Sequence, residues 1–386
     1  MSTYYSMSDD TQFDTDGQAR FIVFGVGGGG GNAVEHMVNQ QVTGINFVAA
    51  NTDRQALNKL TTPNKLQLGA ELTRGLGAGA NPEVGREAAE SDEEEIRALL
   101  SDYDMVFITA GMGGGTGTGA APVIARIAKE EGILTVAVVT TPFNYEGKRA
   151  KIAQQGIEQL AQYVDSIITV PNEKLLQVYR GLSMKDAFAK ANDVLLQAVD
   201  GITRTIREPG LINIDFNDVR TAMTAKGHAM MGIGRASGEG RAAEAAEKAI
   251  RSPLLDDLLL KNAQGVIVNI VGSNIGMSEP AEVADVVKRI ADIDEGNIFY
   301  GAVDDESMGD DIYVTVIATG LTVDENAKAQ PQANQAPAGH TSAISQQAPQ
   351  AQPVVAPAHT SAPARPAVKP VSVGDFLKRQ QQDSQG

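Results

Sequence analysis

A chain of 386 residues is longer than one hydrophobic core usually supports, so two packed domains are expected. The composition, 42% hydrophobic and 21% charged, is that of a globular protein, and the lack of cysteine removes disulfides, thiolate metal sites and cysteine nucleophiles together. With 32 Lys and Arg against 48 Asp and Glu, the net charge of −16 argues against a nucleic-acid partner, and four histidines leave little room for an imidazole metal site.

Residues 1–20 are polar and acidic, without the basic-then-apolar order of a signal peptide, and are expected to form a disordered tail on a cytoplasmic protein. Next, 21–26, 45–50, 105–109, 133–140 and 166–170 are short apolar runs, each followed by a polar or glycine-rich turn, as strands covered on both faces require. Asn81-Pro82 marks a helix start, and Ser91 with Glu94 predicts a capping box at another. The acidic run 92–95 then supplies negative charge to a helix N-terminus. The longest uncharged run of the globular part, 105–125, contains six glycines and Pro122 and does not read as a membrane span. Alternation of strand and helix over this length predicts a doubly wound parallel α/β sheet.

Residues 186–207 read as one long helix, apolar at Phe188, Ala191, Leu195, Ala198, Ile202 and Ile206, stopped by Pro209-Gly210 and long enough to join two lobes. Beyond it, 265–271 and 312–318 read as strands, and 239–250 and 279–291 as helices, of a supporting second α/β domain. Residues 326–370 hold 13 Ala, 8 Pro and 7 Gln with no Phe, Tyr, Asp or Glu, the composition of a flexible tether. After it, Val373, Phe376 and Leu377 lie among Asp375, Lys378 and Arg379, which fits either a frayed end or a short recognition peptide.

Two glycine clusters carry the chemistry. Gly25-Val26-Gly27-Gly28-Gly29-Gly30-Gly31-Asn32 follows the first strand and precedes a helix expected to begin near Asn32, where backbone N–H groups suit a phosphate. Its Gly25-x-Gly27-x-x-Gly30 spacing also fits a dinucleotide fold, in which Asp53 would hold a ribose; Asp53 could equally cap the helix after it. The second cluster, Gly111-Met112-Gly113-Gly114-Gly115-Thr116-Gly117-Thr118-Gly119, repeats the strand-to-helix placement. Two such turns can clasp one polyphosphate from two sides, a device with no use in a dinucleotide fold. No GxxxxGK[ST] occurs, so the P-loop lysine is absent and a bound cation, Mg²⁺, is expected to help neutralise the phosphates.

Gly113 to Gly119, reading GGGTGTG, together with GVGGGGGNAVEHM at 25–37, GLGAGANPEVG at 75–85, PFNYEG at 142–147 and GLINIDFNDVR at 210–220, resembles the tubulin/FtsZ superfamily in its bacterial FtsZ form. These motifs run in order across 21–320. The resemblance implies a Rossmann-like GTP-binding domain at 21–183, a connecting helix at 184–209, a smaller α/β domain at 210–320, a linker at 321–370 and a partner-binding peptide at 371–386. GTP or GDP would be held by Gly27, Gly28, Gly29 and Asn32, by Ala78, Gly79 and Ala80, and by Gly113, Gly114, Gly115, Thr116, Gly117, Thr118 and Gly119. Mg²⁺ would ride on the phosphates with no protein side-chain ligand, and a monovalent cation could accompany it.

By the same resemblance Glu146 and Arg149 would hold the ribose and a nearby phosphate. The usual spacing is four residues; here it is three, which still leaves both on one helical face. Asn172, Phe188 and Asp193 would recognise guanine, although spacing alone puts Phe188 in the core of the long helix. Asp215 and Asp218, with Asn213, would complete the active site of the next subunit, polarising the water that attacks the γ-phosphate; spacing alone reads this pair as a helix cap. The function implied is a GTPase that assembles head to tail into filaments and a contractile ring at the bacterial division site, drives septum formation and recruits other division proteins. It would act in the cytoplasm at mid-cell, on the inner face of the membrane without entering it, with itself and division regulators as partners. The segment SVGDFLKRQ, with Phe376, Leu377, Lys378 and Arg379, resembles the peptide that binds membrane adaptors such as FtsA and ZipA, with Val373-Gly374 where the family usually has Ile-Pro.

Overall fold

The computed structural model describes residues 18–178, 181–208, 210–225, 227–255, 263–291 and 298–321. Residues 1–17 of the expected N-terminal tail, Pro209 of the expected helix stop, the tether and the terminal peptide with Phe376, Leu377, Lys378 and Arg379 lie outside them, whereas Ala19 and Arg20 are ordered against the core and Asp104. Strands β1 (Phe21–Val26), β2 (Asn46–Asn51), β3 (Asn64–Gln67), β4 (Met105–Gly111), β5 (Leu134–Thr141) and β6 (Ser166–Pro171) line up in the order β3-β2-β1-β4-β5-β6, every neighbouring pair parallel. This is the doubly wound order, with its reversal between β1 and β4. Strands β7 (His228–Ser237), β8 (Gly265–Gly272), β9 (Ile298–Asp304) and β10 (Asp311–Leu321) extend the same sheet in the order β7-β10-β8-β9. The join is short: β6 and β7 pair only through Ile167 with His228 and Ile168 with Ala229.

Alternation along each strand divides two cores. Ile22, Phe24, Val26, Val106 and Ile108 face one side of the sheet; Phe21, Val23, Met105 and Phe107 face the other. Helices α1 (Gly27–Asn39), α2 (Arg54–Asn58), α3 (Ala70–Thr73), α4 (Pro82–Ser91), α5 (Glu93–Leu100), α6 (Thr116–Glu130), α7 (Lys148–Leu160) and α8 (Asn172–Val178) follow the strands of the first half. The long helix α9 (Met184–Arg207) is N-capped by Ser183 and buries Ala191, Val194, Leu195, Ala198, Val199 and Ile202 in a core that also takes Met231, Ile267 and Ile317 from the second half. It therefore bridges both halves of the sheet, as its length requires. Helix α10 (Phe216–Met223) joins that core. Helices α11 (Arg241–Ile250) and α12 (Glu279–Ala291) cover the opposite face of the second half.

Three expectations are corrected. Strands β3, β7 and β9 were not among the expected strands: β3 is the short, largely polar Asn-Lys-Leu-Gln, β7 is interrupted by Gly232, Gly234 and Arg235, and β9, although apolar from Ile298 to Val303, is partly exposed at the sheet's edge. Ser91 and Glu94 make no capping box, because Ser91 closes α4 with its hydroxyl on the Ala88 carbonyl and Asp92 occupies the break before α5. Helix α1 begins at Gly27 instead of near Asn32, so most of the glycine run is helical.

Candidate nucleotide-binding site

The two glycine clusters meet because β1 and β4 are hydrogen-bonded neighbours, in register at Val26 and Ala110, on either side of the strand-order reversal. In doubly wound sheets a ligand crevice opens at this place. Helix α1 starts at Gly27 and α6 at Thr116, and neither N-terminus has a side-chain cap. Their first N–H groups thus remain available, and both helix dipoles favour an anion. A Cβ on Gly30 would lie 2.2 Å from the Thr109 carbonyl oxygen, so glycine is what lets α1 lie against β4. Gly28 and Gly114 differ: among the described residues nothing stands within 4 Å of a Cβ at either, which leaves their backbone open to a ligand.

Between these turns and α9 lies a cleft of about 590 Å³, within the range of small-molecule sites. It brings together Gly28, Gly29, Asn32, Gly114, Gly115, Thr116 and Gly117 with Glu146, Arg149, Asn172 and Phe188. Thr116 is oriented by a 2.6 Å hydrogen bond between its hydroxyl and that of Thr52. Glu146 closes the short turn Asn144–Glu146, accepting the Phe143 N–H at 3.0 Å, and its other oxygen accepts from Arg149 at 2.8 Å. The shortened spacing still delivers both residues to the cleft.

Asn172 is buried, and its Oδ1 has no hydrogen-bond partner among the described residues. A buried acceptor left unpaired costs about 1–3 kcal/mol, so a ring N–H from a bound molecule fits there. Phe188 is 47% exposed, not core, because the N-terminal turns of α9 line the cleft; its ring meets Phe143 edge-on, centroids 5.8 Å apart.

Other expected residues stand around the cleft without lining it. Gly27 (φ +71°) and Gly113 (φ +95°) shape the two turns. Thr118 is buried and its hydroxyl accepts the Gly113 N–H at 2.9 Å, bracing the second loop. Gly119 lets α4 approach, since its Cβ would fall 1.9 Å from the Pro82 carbonyl oxygen. Ala78, Gly79 and Ala80 form a turn with left-handed Gly79 and Ala80, and Ala78 packs behind Gly115.

Asp193 is displaced from its expected place. Its carboxylate is hydrogen-bonded to His36 Nε2 and to Lys190 Nζ, each at 2.8 Å, and it does not line the cleft. Asn192 does. Four residues along a helix return to the same face, whereas five turn about 140° away, so Asn192 and not Asp193 shares the face of Phe188. Lys185, Thr140 and Pro142 also line the cleft and were not anticipated; the spacing 185-188-192-195 was the readable signal for the helix residues.

Asp53 caps α2, its carboxylate accepting the Gln55 and Ala56 N–H groups at 2.8 and 3.2 Å. It does not line the cleft, so the dinucleotide alternative loses its ribose-binding acid. Asn213, Asp215 and Asp218 likewise lie away from the cleft of their own chain. Asp215 caps α10 by accepting the Asp218 N–H at 2.9 Å, and Asn213 accepts the Gly210 N–H at 2.7 Å. Asn213 and Asp215 are exposed, and the Asp218 carboxylate has no partner among the described residues. Among those residues no three His, Asp or Glu side chains gather as a metal site, and no helix is long and apolar enough to cross a membrane.

Two uncapped helix starts facing an aromatic and amide wall across the switch point of a doubly wound sheet define an α/β nucleotide-binding protein. Residues 20–180 match the family model described as the Tubulin/FtsZ family, GTPase domain, and 227–322 match that of the FtsZ family, C-terminal domain. The chain is 55% identical over 306 residues to the cell division protein FtsZ of Buchnera aphidicola subsp. Schizaphis graminum, covering 78% of this chain and 79% of that protein. It is 56% identical over 302 residues to that of Pseudomonas aeruginosa, covering 78% and 76%. A solved FtsZ dimer from M. jannaschii aligns with a TM-score of 0.75 at 43% identity, covering 79% of this chain and 89% of that one. The chain belongs to the FtsZ branch of the tubulin/FtsZ family and is a GTPase.

Proposed function

We propose that this chain binds GTP in the cleft at the β1–β4 switch point, assembles head to tail into cell-division filaments, and hydrolyses GTP at the contact between subunits. The uncapped starts of α1 and α6 take the phosphates, with Mg²⁺ held on the phosphate oxygens. Glu146 and Arg149 take the ribose side, Phe188 stacks on the base, and Asn172 with Asn192 pairs its edge. The observation that carries the reading is the unpaired Asn172 Oδ1, buried on the wall that holds Phe188. GTP should raise the Tm, by the equivalent of about 2.7 kcal/mol at a hundredfold excess over Kd, while NAD leaves it unchanged. Protection by NAD and none by GTP would overturn the assignment.

Catalysis in trans is supported by Asn213 and Asp215 being exposed, Asp218 being partly so, and all three being absent from their own chain's cleft. Beside them Leu211 is 61% and Ile212 38% exposed, and near the 78–80 turn Leu72 and Leu76 are 50% and 78% exposed. Exposed aliphatic residues beside both sets of functional groups suit a contact between two different surfaces, and a heterologous contact that does not close builds filaments. In that contact the carboxylates orient and polarise the attacking water, and loss of the γ-phosphate weakens the joint. The division-site ring, its cytoplasmic place at the membrane, and adaptor binding through 371–386 by proteins such as FtsA and ZipA belong to the same reading.

A further inference from the structure

The cleft holds one cation that the chain leaves uncompensated. Of the two cationic residues lining it, Arg149 is paired with Glu146, whereas exposed Lys185 makes no hydrogen bond or ion pair among the described residues. Adjacent Asp186 is instead engaged by the Ser183 hydroxyl at 2.6 Å. Lys185, Phe188, Asn192 and Leu195 are three, four and three residues apart, so they project from one face of α9, and all four line the cleft. Lys185 thus stands about one turn, roughly 5 Å along the axis, from the ring that stacks on the base. The helix starts suited to phosphate belong to α1 and α6, a separate wall. On the edge carrying N7, guanine offers two acceptors, O6 and N7, whereas adenine puts an amino donor beside N7. An ammonium has donors only, so it favours guanine there and opposes adenine.

We propose that Lys185 is a base-selecting residue whose ammonium donates to the O6 and N7 edge of the bound guanine. This rests on the guanine-nucleotide reading above. The test is competition of GTP and 7-deaza-GTP, which replaces the N7 acceptor by C–H, against a fluorescent GDP analogue without Mg²⁺, on wild type, K185M and K185R. Wild type should prefer GTP by about three- to tenfold. K185M should lose that preference to within about twofold, and K185R should keep most of it. Equal weakening of both nucleotides by K185M would mean that the charge acts on the phosphates and would overturn the proposal, as would a wild type that does not distinguish them. Failure of wild type to bind either nucleotide would overturn the guanine reading itself, a result distinct from either of these.

Discussion

Asp215→Asn should lower GTP turnover by roughly 10²- to 10⁴-fold while leaving GTP affinity and the Tm close to wild type. On the proposed reading Asp215 has two separable roles. As an N-cap it accepts the Asp218 N–H at 2.9 Å, and an asparagine side chain does this about as well. As an exposed carboxylate near Asp218, which has no side-chain partner among the described residues, it would polarise water on a neighbouring subunit's nucleotide, and asparagine cannot supply that charge. Asp215→Ala removes both roles and should cost about 1 kcal/mol of stability besides the activity. Turnover, nucleotide affinity and thermal unfolding measured on the two variants separate the roles. Wild-type turnover in Asp215→Asn would reduce the residue to a helix cap.

Gly28→Ala and Gly30→Ala, two positions apart on one helix, should fail in opposite ways. A methyl on Gly30 would sit 2.2 Å from the Thr109 carbonyl oxygen and close to Gly25, both backbone, so α1 must move off β4. Overpacking of this kind costs about 1–3 kcal/mol or more, and Gly30→Ala should show a lower Tm and a smaller soluble yield. Gly28 has nothing within 4 Å of a Cβ and lies in the first turn of α1, so alanine should stabilise the helix by up to about 1 kcal/mol. Cα–Cβ bonds tilt toward a helix N-terminus, which aims that methyl at the phosphate position. Gly28→Ala should therefore keep or raise the Tm while weakening GTP binding at least about tenfold. Normal GTP affinity in a well-folded Gly28→Ala would remove the α1 start from the phosphate site.

The first half of the sheet was legible because its strands are buried on both faces and read as continuous apolar runs. Where that condition fails, as in the largely polar β3 at the sheet's edge, the same pattern is silent, whereas β9 is apolar from Ile298 to Val303 and was missed all the same. The two glycine turns were legible because glycine repeated between strand and helix has few other uses, yet composition could not separate glycines left open to the cleft, such as Gly28 and Gly114, from those that permit packing, such as Gly30 and Gly119. That distinction depends on which backbone stands opposite. Asp193 shows a different limit: its motif position looked right, but helix geometry gives the cleft to Asn192 and turns Asp193 toward His36. Phe188 lies on the apolar stripe of α9, and spacing alone could not show, as the resemblance implied and the fold does, that this end of the stripe lines a cleft. The role proposed for Asp215 leaves no mark within one subunit, since its cap geometry is present whatever its carboxylate does.

The shared active site meets its hardest test in GTP turnover per subunit, measured with Mg²⁺ across a series of protein concentrations. Activity per subunit should be negligible below a threshold and rise above it, because each nucleotide waits for the Asp215 and Asp218 of a neighbour. Activity per subunit that stays constant down to concentrations where the protein is monomeric would mean that each chain is complete in itself, and would contradict catalysis between subunits.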